Sequence, residues 1–132
     1  MSSQPGHILV VDDNEALREN LAECLEAEGY QVAVAQDGPA ALSLLERGPL
    51  PAVVLLDLMM PGMDGRAIAA AIRTNPRLAS VRIVVSTGLS TVRGLSATAD
   101  AVLMKPFGVK DLLTVLRRVE QAPPPAGDGA AD

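Results

Sequence analysis

The 132-residue sequence is poor in aromatic residues and in cysteine. Aromatic residues make up 2% of the chain and tryptophan is absent, which argues against nucleic-acid binding by stacking of bases on aromatic rings. The single cysteine, Cys24, cannot form a disulfide bridge within the chain, and the first residues lack the pattern of a secretory signal. We therefore expect a reduced, cytoplasmic compartment.

Long hydrophobic runs are also missing. The apolar run at residues 52–56 ends at Asp57, and no run approaches the roughly 18 residues that a membrane helix needs. We therefore expect no membrane association. Hydrophobic residues nevertheless make up 48% of the chain, which is enough for one folded domain. We assign that domain to residues 1–121 and expect the tail at residues 122–132, rich in proline, glycine and alanine, to be disordered.

The net charge of -5 is unevenly distributed, with most acidic residues before residue 65 and most basic residues after it. An acidic chain is unsuited to non-specific binding of phosphate backbones, so we expect no direct nucleic-acid binding. The basic second half has two interpretations, which are a docking surface for an acidic protein and ordinary solvated helix faces.

Short apolar runs alternate with segments of helical periodicity, a pattern typical of strand, helix and strand units in a parallel sheet. The predicted strands lie at residues 7–11, 30–35, 52–56, 83–85 and 101–104. The first helix is predicted to begin after Asn14 and the second at Pro39. The third is predicted to end near residue 74, and the last to occupy residues 109–121. Residues 89–98 show little periodicity, which predicts a shortened fourth helix. The domain is therefore predicted to have an α/β fold.

Reactive side chains stand at the predicted carboxyl ends of four strands, the edge at which open parallel sheets bind ligands. They are Asp12, Asp13, Asp57, Ser86, Thr87 and Lys105. Three clustered carboxylates repel one another unless a hard divalent cation neutralises them, and magnesium suits such a site. Asp57 is then the candidate nucleophile for phosphoryl transfer. Lys105, as a point charge, and Thr87, as a hydroxyl donor, are candidates to stabilise the transferred group.

Each of these residues also has an ordinary structural explanation. The aspartates are residues that cap helices or line turns, Lys105 precedes a proline, and Thr87 suits a turn. Their joint placement at strand ends favours the functional interpretation, because independent structural explanations rarely coincide in one arrangement.

Four motifs resemble those of receiver domains in the two-component response regulator family, over residues 8–121. They are Val-Val-Asp-Asp-Asn at 10–14, Leu-Leu-Asp-Leu-Met-Met-Pro-Gly-Met-Asp-Gly at 55–65, Ser-Thr-Gly at 86–88 and Lys-Pro-Phe at 105–107. The resemblance, which is to the chemotaxis-regulator type of fold, implies a doubly wound, flavodoxin-like sheet of five parallel strands. Their order would be 2-1-3-4-5, with helices on both faces.

The resemblance also implies how the site works. Asp57 would accept a phosphoryl group from a phosphohistidine on a sensor histidine kinase or a histidine phosphotransfer protein. Magnesium would be bound by Asp12, Asp13 and Asp57 together with the backbone carbonyl of Met59.

Two further residues have roles that follow from the resemblance. Lys105 would pair with the phosphoryl oxygens, and its peptide bond to Pro106 would be cis. Thr87 would move toward the phosphoryl group and transmit the change, with Ser86 as an alternative one residue earlier.

The sequence departs from the family pattern in the region that carries the response. Lys105 follows Thr87 by 18 residues, about four fewer than in the family, so about one turn is missing from the fourth helix. Val102 stands where the family has an aromatic residue that switches position. Met59 and Leu89 stand at positions that tune the lifetime of the phosphoryl bond. Neither side chain can orient a water molecule, which predicts slow self-dephosphorylation.

Three functions remain to be distinguished. The first is a stand-alone receiver, which is no enzyme beyond its own phosphorylation and dephosphorylation and acts on an unidentified downstream protein as a monomer or weak homodimer. The second is a pseudo-receiver scaffold, which the shortened fourth helix and Val102 favour and the complete set of acidic residues and Lys105 disfavours. The third is a magnesium-dependent phosphohydrolase, but the second carboxylate that it needs two residues after Asp57 is missing.

Overall fold

The computed structural model describes residues 7–58, 65–88 and 99–121. The strands are β1 (His7–Val11), β2 (Gln31–Ala35), β3 (Val53–Asp57), β4 (Arg82–Thr87) and β5 (Ala101–Met104). The helices are α1 (Glu15–Ala27), α2 (Gly38–Arg47), α3 (Gly65–Arg73) and α4 (Val109–Gln121), with a 3₁₀ turn at Pro76–Leu78. The short helix predicted at residues 89–98 and the tail predicted at residues 122–132 lie outside the described residues.

All five strands are parallel and lie in the order β2-β1-β3-β4-β5, which confirms the expected sheet. The central strand β3 is buried along its whole length, as its unbroken apolar run predicts. Strand β4 is longer than predicted, because it continues through Ser86 and Thr87. The prediction ended the strand at the last apolar residue, whereas both hydroxyl-bearing residues are buried within it.

Helices cover both faces of the sheet. On one face, the core side chains from helices include Leu21 and Leu25 of α1 together with Leu112 and Leu116 of α4. On the other face they include Ala41 and Leu45 of α2 together with Ile68 and Ile72 of α3. Because all five strands are parallel, the carboxyl ends of β1, β3, β4 and β5 lie at the same edge of the sheet.

Local signals define where α1 begins and ends. The Asn14 side chain accepts a hydrogen bond from the Leu17 N–H at 3.0 Å, which confirms the predicted N-cap. Gly29 follows the helix with a φ of 98°, a conformation that glycine adopts without strain. Helix α2 has a cap that the prediction missed: the Asp37 carboxylate accepts from the Ala40 N–H at 2.8 Å.

In the described part of the chain, no helix combines the length and the hydrophobicity that crossing a membrane requires.

Candidate functional site

Three carboxylates meet at the carboxyl edge of the sheet. Asp12 directly follows β1, Asp13 is the next residue, and Asp57 is the last residue of β3. Each offers an oxygen within 4.8 Å of the oxygens of the other two. Asp12 and Asp57 are 2% and 3% exposed, whereas Asp13 is open to solvent. This set of hard oxygen donors, partly buried and open on one side, fits Mg²⁺, which binds through a few carboxylates and keeps several waters.

A lysine side chain lies between the two buried carboxylates. Lys105 directly follows β5, and its Nζ is 3.2 Å from Asp12 Oδ2 and 3.5 Å from Asp57 Oδ1. The ammonium group therefore offsets part of the negative charge at this edge. The peptide bond from Lys105 to Pro106 is cis, as the resemblance implies.

Asp12 is held in place by residues of α1 and the loop before it. The Asn14 backbone N–H donates to Asp12 Oδ1 at 2.9 Å, and Arg18 Nη1 donates to the Asp12 carbonyl oxygen at 2.8 Å. The contact of Arg18 with Asp12 was not predicted from the sequence. The only signal was its position in the first turn of a helix, where a long side chain points back over the preceding loop.

Two hydroxyl-bearing residues of β4 reach the same edge. Ser86 is the register partner of Asp57 in the β3–β4 ladder, and its carbonyl accepts from the Leu58 N–H at 3.0 Å. Thr87 is fully buried, and its carbonyl accepts from the Lys105 N–H at 2.8 Å. The backbone thus connects β3, β4 and the lysine, with Ser86 and Thr87 both beside the site.

The start of α3 packs tightly against the backbone around Asp57. A Cβ atom on Gly65 would lie 2.8 Å from Leu58 Cα and 3.2 Å from the Asp57 carbonyl oxygen. A side chain at this position would therefore displace either the helix or the end of β3. The absence of a side chain at Gly65 lets the helix approach the strand that carries Asp57.

An open groove of about 400 Å³ adjoins the site and is lined by Leu17, Lys105, Pro106 and Phe107. Leu17 and Phe107 are half-buried and give the groove an apolar wall beside the lysine.

Met59 and Leu89, which the sequence predictions name, lie outside the described residues. Val102 is half-buried and packs against the core on the α2–α3 face. Arg73, one of the second-half basic residues, is bound within the fold, because it pairs with Asp100 at 3.1 Å. It therefore contributes little to a basic docking surface.

The arrangement suits phosphoryl transfer to a carboxylate. That reaction needs a positioned nucleophile and groups that offset the charge of the phosphoryl oxygens. Asp57 offers a buried carboxylate at the end of β3, and the ammonium of Lys105 provides positive charge close to it.

Comparison with protein families agrees with these observations. Residues 8–117 match the model of the response regulator receiver domain. The response regulator MprA of Mycolicibacterium vanbaalenii is 40% identical over 132 residues, which cover 96% of this chain and 57% of that protein. The DNA-binding response regulator MtrA of Mycobacterium tuberculosis is 39% identical over 118 residues, covering 89% and 51%. The chain thus spans about half the length of these curated relatives.

Solved structures show the same fold. The response regulator TrrA of Thermotoga maritima, in complex with Mg²⁺-BeF, is 33% identical with a TM-score of 0.78, and the match covers 87% of this chain and 99% of that one. The chemotaxis response regulator CheY4 of Vibrio cholerae is 30% identical with a TM-score of 0.79, covering 86% and 97%.

Proposed function

Because the chain belongs to the family of response regulator receiver domains, we propose that Asp57 accepts a phosphoryl group from a phosphohistidine and that the phosphorylated domain signals through protein contacts. The observation that carries the proposal is the position of the Lys105 ammonium, 3.5 Å from Asp57 Oδ1 and beside the cluster of three carboxylates.

The proposed step moves one phosphoryl group between two side chains. A carboxylate oxygen of Asp57 attacks the phosphorus atom, a phosphorus–oxygen bond forms, and the phosphorus–nitrogen bond to the donor histidine breaks. The histidine nitrogen leaves with the electron pair and takes up a proton. Lys105 pairs with the phosphoryl oxygens and offsets the charge that they bring to the site. The domain catalyses this step and its own dephosphorylation, and it has no other substrate.

Magnesium is the proposed cofactor. Asp12, Asp13 and Asp57 would hold it, together with the carbonyl of Met59, which is a proposal from the family resemblance. The fit rests on the three carboxylate oxygens that lie within 4.8 Å of one another. When bound, Mg²⁺ supplies positive charge for the phosphoryl oxygens. The protein residues position the acceptor and exclude solvent from its buried side.

The proposed donor is a sensor histidine kinase or a histidine phosphotransfer protein, which reaches Asp57 along the groove beside Leu17 and Phe107. Thr87 is proposed to respond to the phosphoryl group and to transmit the change to a downstream protein, with the domain acting as a monomer or weak homodimer. We expect no direct nucleic-acid binding by these residues. The DNA-binding response regulator MtrA is about twice as long as the segment that this chain matches.

The proposed lifetime of the phosphoryl group is long. Met59 and Leu89 have no hydrogen-bonding side chain with which to orient an attacking water. The variant Met59→Asn is therefore expected to lose phosphate faster than the parent in a time course of intact mass. An equal rate in both proteins would contradict this explanation.

The test of the proposed function is phosphorylation by acetyl phosphate in the presence of MgCl₂, followed by intact mass. The parent is expected to gain the mass of one phosphoryl group, and a chelator is expected to prevent the gain. Asp57→Asn should show no gain, whereas Lys105→Ala should retain part of it. Asp37→Asn is the matched control, because Asp37 lies at the same sheet edge and asparagine is an equally good helix cap.

A pseudo-receiver gives a different result in the same experiment. If the folded parent binds Mg²⁺ but gains no phosphoryl group from acetyl phosphate or from a phosphorylated histidine donor, the scaffold function replaces the one proposed here. A gain that persists in Asp57→Asn would instead move the acceptor to another residue.

A further inference from the structure

Arg18 is tied to the backbone of the acidic edge. It lies in the first turn of α1 and is half-buried, and its Nη1 donates to the Asp12 carbonyl oxygen at 2.8 Å. A hydrogen bond from a charged donor is stronger than one between neutral groups, so this contact restrains the backbone at Asp12.

The other polar atoms of Asp12 are also bonded. Its N–H donates to the Ala35 carbonyl at 3.2 Å, Oδ1 accepts from the Asn14 N–H at 2.9 Å, and Oδ2 accepts from Lys105 Nζ at 3.2 Å. Asp12 is thus held by β2, by α1 with its preceding loop, and by the segment after β5. The hydrogen bond from the Arg18 side chain links helix α1 to the backbone carbonyl of Asp12.

We propose that Arg18 is a positioning residue for the cation site: its guanidinium ties the first turn of α1 to the Asp12 carbonyl and thereby orients the Asp12 carboxylate toward Mg²⁺. This inference rests on the proposed function, because it assumes that the three carboxylates bind Mg²⁺. It goes beyond that function, which assigns no part to Arg18.

The charge of Arg18 and its hydrogen bond act in opposite directions on Mg²⁺ binding. A positive charge near the site repels a divalent cation, so removal of the charge by itself would tighten binding. The hydrogen bond restrains a ligand residue, so its removal would weaken binding. The sign of the change in affinity therefore separates a positioning role from a purely electrostatic one.

The experiment is isothermal titration with MgCl₂ of the parent and of Arg18→Met, which keeps a good helix former at the position. Loss of a group that orients a metal ligand lowers metal affinity by about 10–100-fold, and we expect about tenfold weaker binding here, because Arg18 acts through the backbone. Arg18→Lys keeps a positively charged donor on a different aliphatic side chain. We expect its Mg²⁺ affinity to lie between those of the parent and Arg18→Met.

Arg47→Met is the matched control. Arg47 is exposed in the last turn of α2, at the opposite edge of the sheet, so the substitution removes the same charge without touching the site. Because solvent and salt screen a distant charge, its Mg²⁺ affinity should stay within about twofold of the parent value. Thermal unfolding followed by circular dichroism verifies that each variant is folded at the titration temperature. If Arg18→Met is not, Arg18→Leu takes its place, because leucine also lacks a donor and is a good helix former.

The outcomes distinguish the inference from the function on which it rests. Weaker Mg²⁺ binding in folded Arg18→Met or Arg18→Leu, with Arg47→Met unchanged, supports the positioning role. Unchanged or tighter binding in the Arg18 variants overturns it and leaves the proposed function intact. A folded parent that binds no Mg²⁺ would contradict the proposed function itself.

Discussion

The Lys105 ammonium lies 3.5 Å from the Asp57 carboxylate, with the lysine side chain 27% exposed and the aspartate side chain 4% exposed. The same ammonium contacts Asp12, so two buried carboxylates share one positive charge. The Lys105 side chain therefore affects both the stability of the domain and its affinity for a cation.

Lys105→Met is therefore expected to have opposite effects on these two properties. Without a divalent cation, the unfolding free energy should fall by about 2 kcal/mol, because the two buried carboxylates lose the ammonium group that they share. The affinity for Mg²⁺ should rise, because a positive charge has left the site. Urea unfolding and titration with MgCl₂ measure the two effects. Lys110→Met, which removes an exposed charge from α4, is the control and should change neither property appreciably.

Gly65→Ala is expected to destabilise the domain by about 1–3 kcal/mol, the usual cost of inserting a methyl group where the backbone has no space. The new Cβ would lie 2.8 Å from Leu58 Cα, an atom that cannot rotate away. Gly108→Ala is the control, because the nearest atom to its Cβ would be Asp111 Oδ2 at 3.8 Å. Equal urea midpoints for the two variants would show that α3 does not press on the end of β3.

Two variants of Asp100 separate its hydrogen bond from its ion pair. The carboxylate accepts from the Ile83 N–H at 2.7 Å and pairs with Arg73 at 3.1 Å. Asp100→Ala loses both contacts and should lower the unfolding free energy by about 1–3 kcal/mol, the cost of an unsatisfied amide. Asp100→Asn keeps an acceptor and should cost less than about 1 kcal/mol, as expected for a partly exposed ion pair. If urea unfolding shows the same loss of unfolding free energy in both variants, the ion pair with Arg73 contributes more than the hydrogen bond from Ile83.

Stability is expected to fall at alkaline pH because of Tyr30. Burial, and then the negative charge of Glu120, raise the pKa of the Tyr30 hydroxyl above its usual value of 10.0. The hydroxyl also donates to Glu120 Oε1 at 3.3 Å. The unfolded chain loses this proton at lower pH than the folded domain does. The stabilisation is therefore complete below pH 10 and decreases as the pH rises from there toward the folded pKa.

The measurement uses Tyr30→Phe as the reference, because other groups titrate in the same alkaline range. Urea unfolding of the parent should lose more stability than that of Tyr30→Phe as the pH rises above 10. Since Tyr30 is the sole tyrosine and tryptophan is absent, the ultraviolet absorbance of tyrosinate reports its ionisation directly. A tyrosine that titrates at its ordinary pKa in the folded protein would rule out this cause.

Short-range patterns in the sequence determined most of the secondary structure. Asn14 before a run of leucines at helical spacing specifies the start of α1, because the cap and the apolar stripe are both local. The unbroken apolar run before Asp57 specifies a central strand, because both of its faces must be covered. Boundaries were less accurate where polar residues continue an element, as Ser86 and Thr87 do in β4.

The contacts around the site were decided by tertiary structure. The sequence by itself determined the α/β class and the chemical types at the strand ends, because alternation, caps and apolar runs depend on neighbouring residues. The motifs then suggested the strand order through family resemblance. The contacts of Arg18 with Asp12 and of Asp100 with Ile83 depend on where loops and side chains lie after the sheet has assembled. Such distances arise only when strands far apart in sequence are brought side by side, which local propensity does not specify.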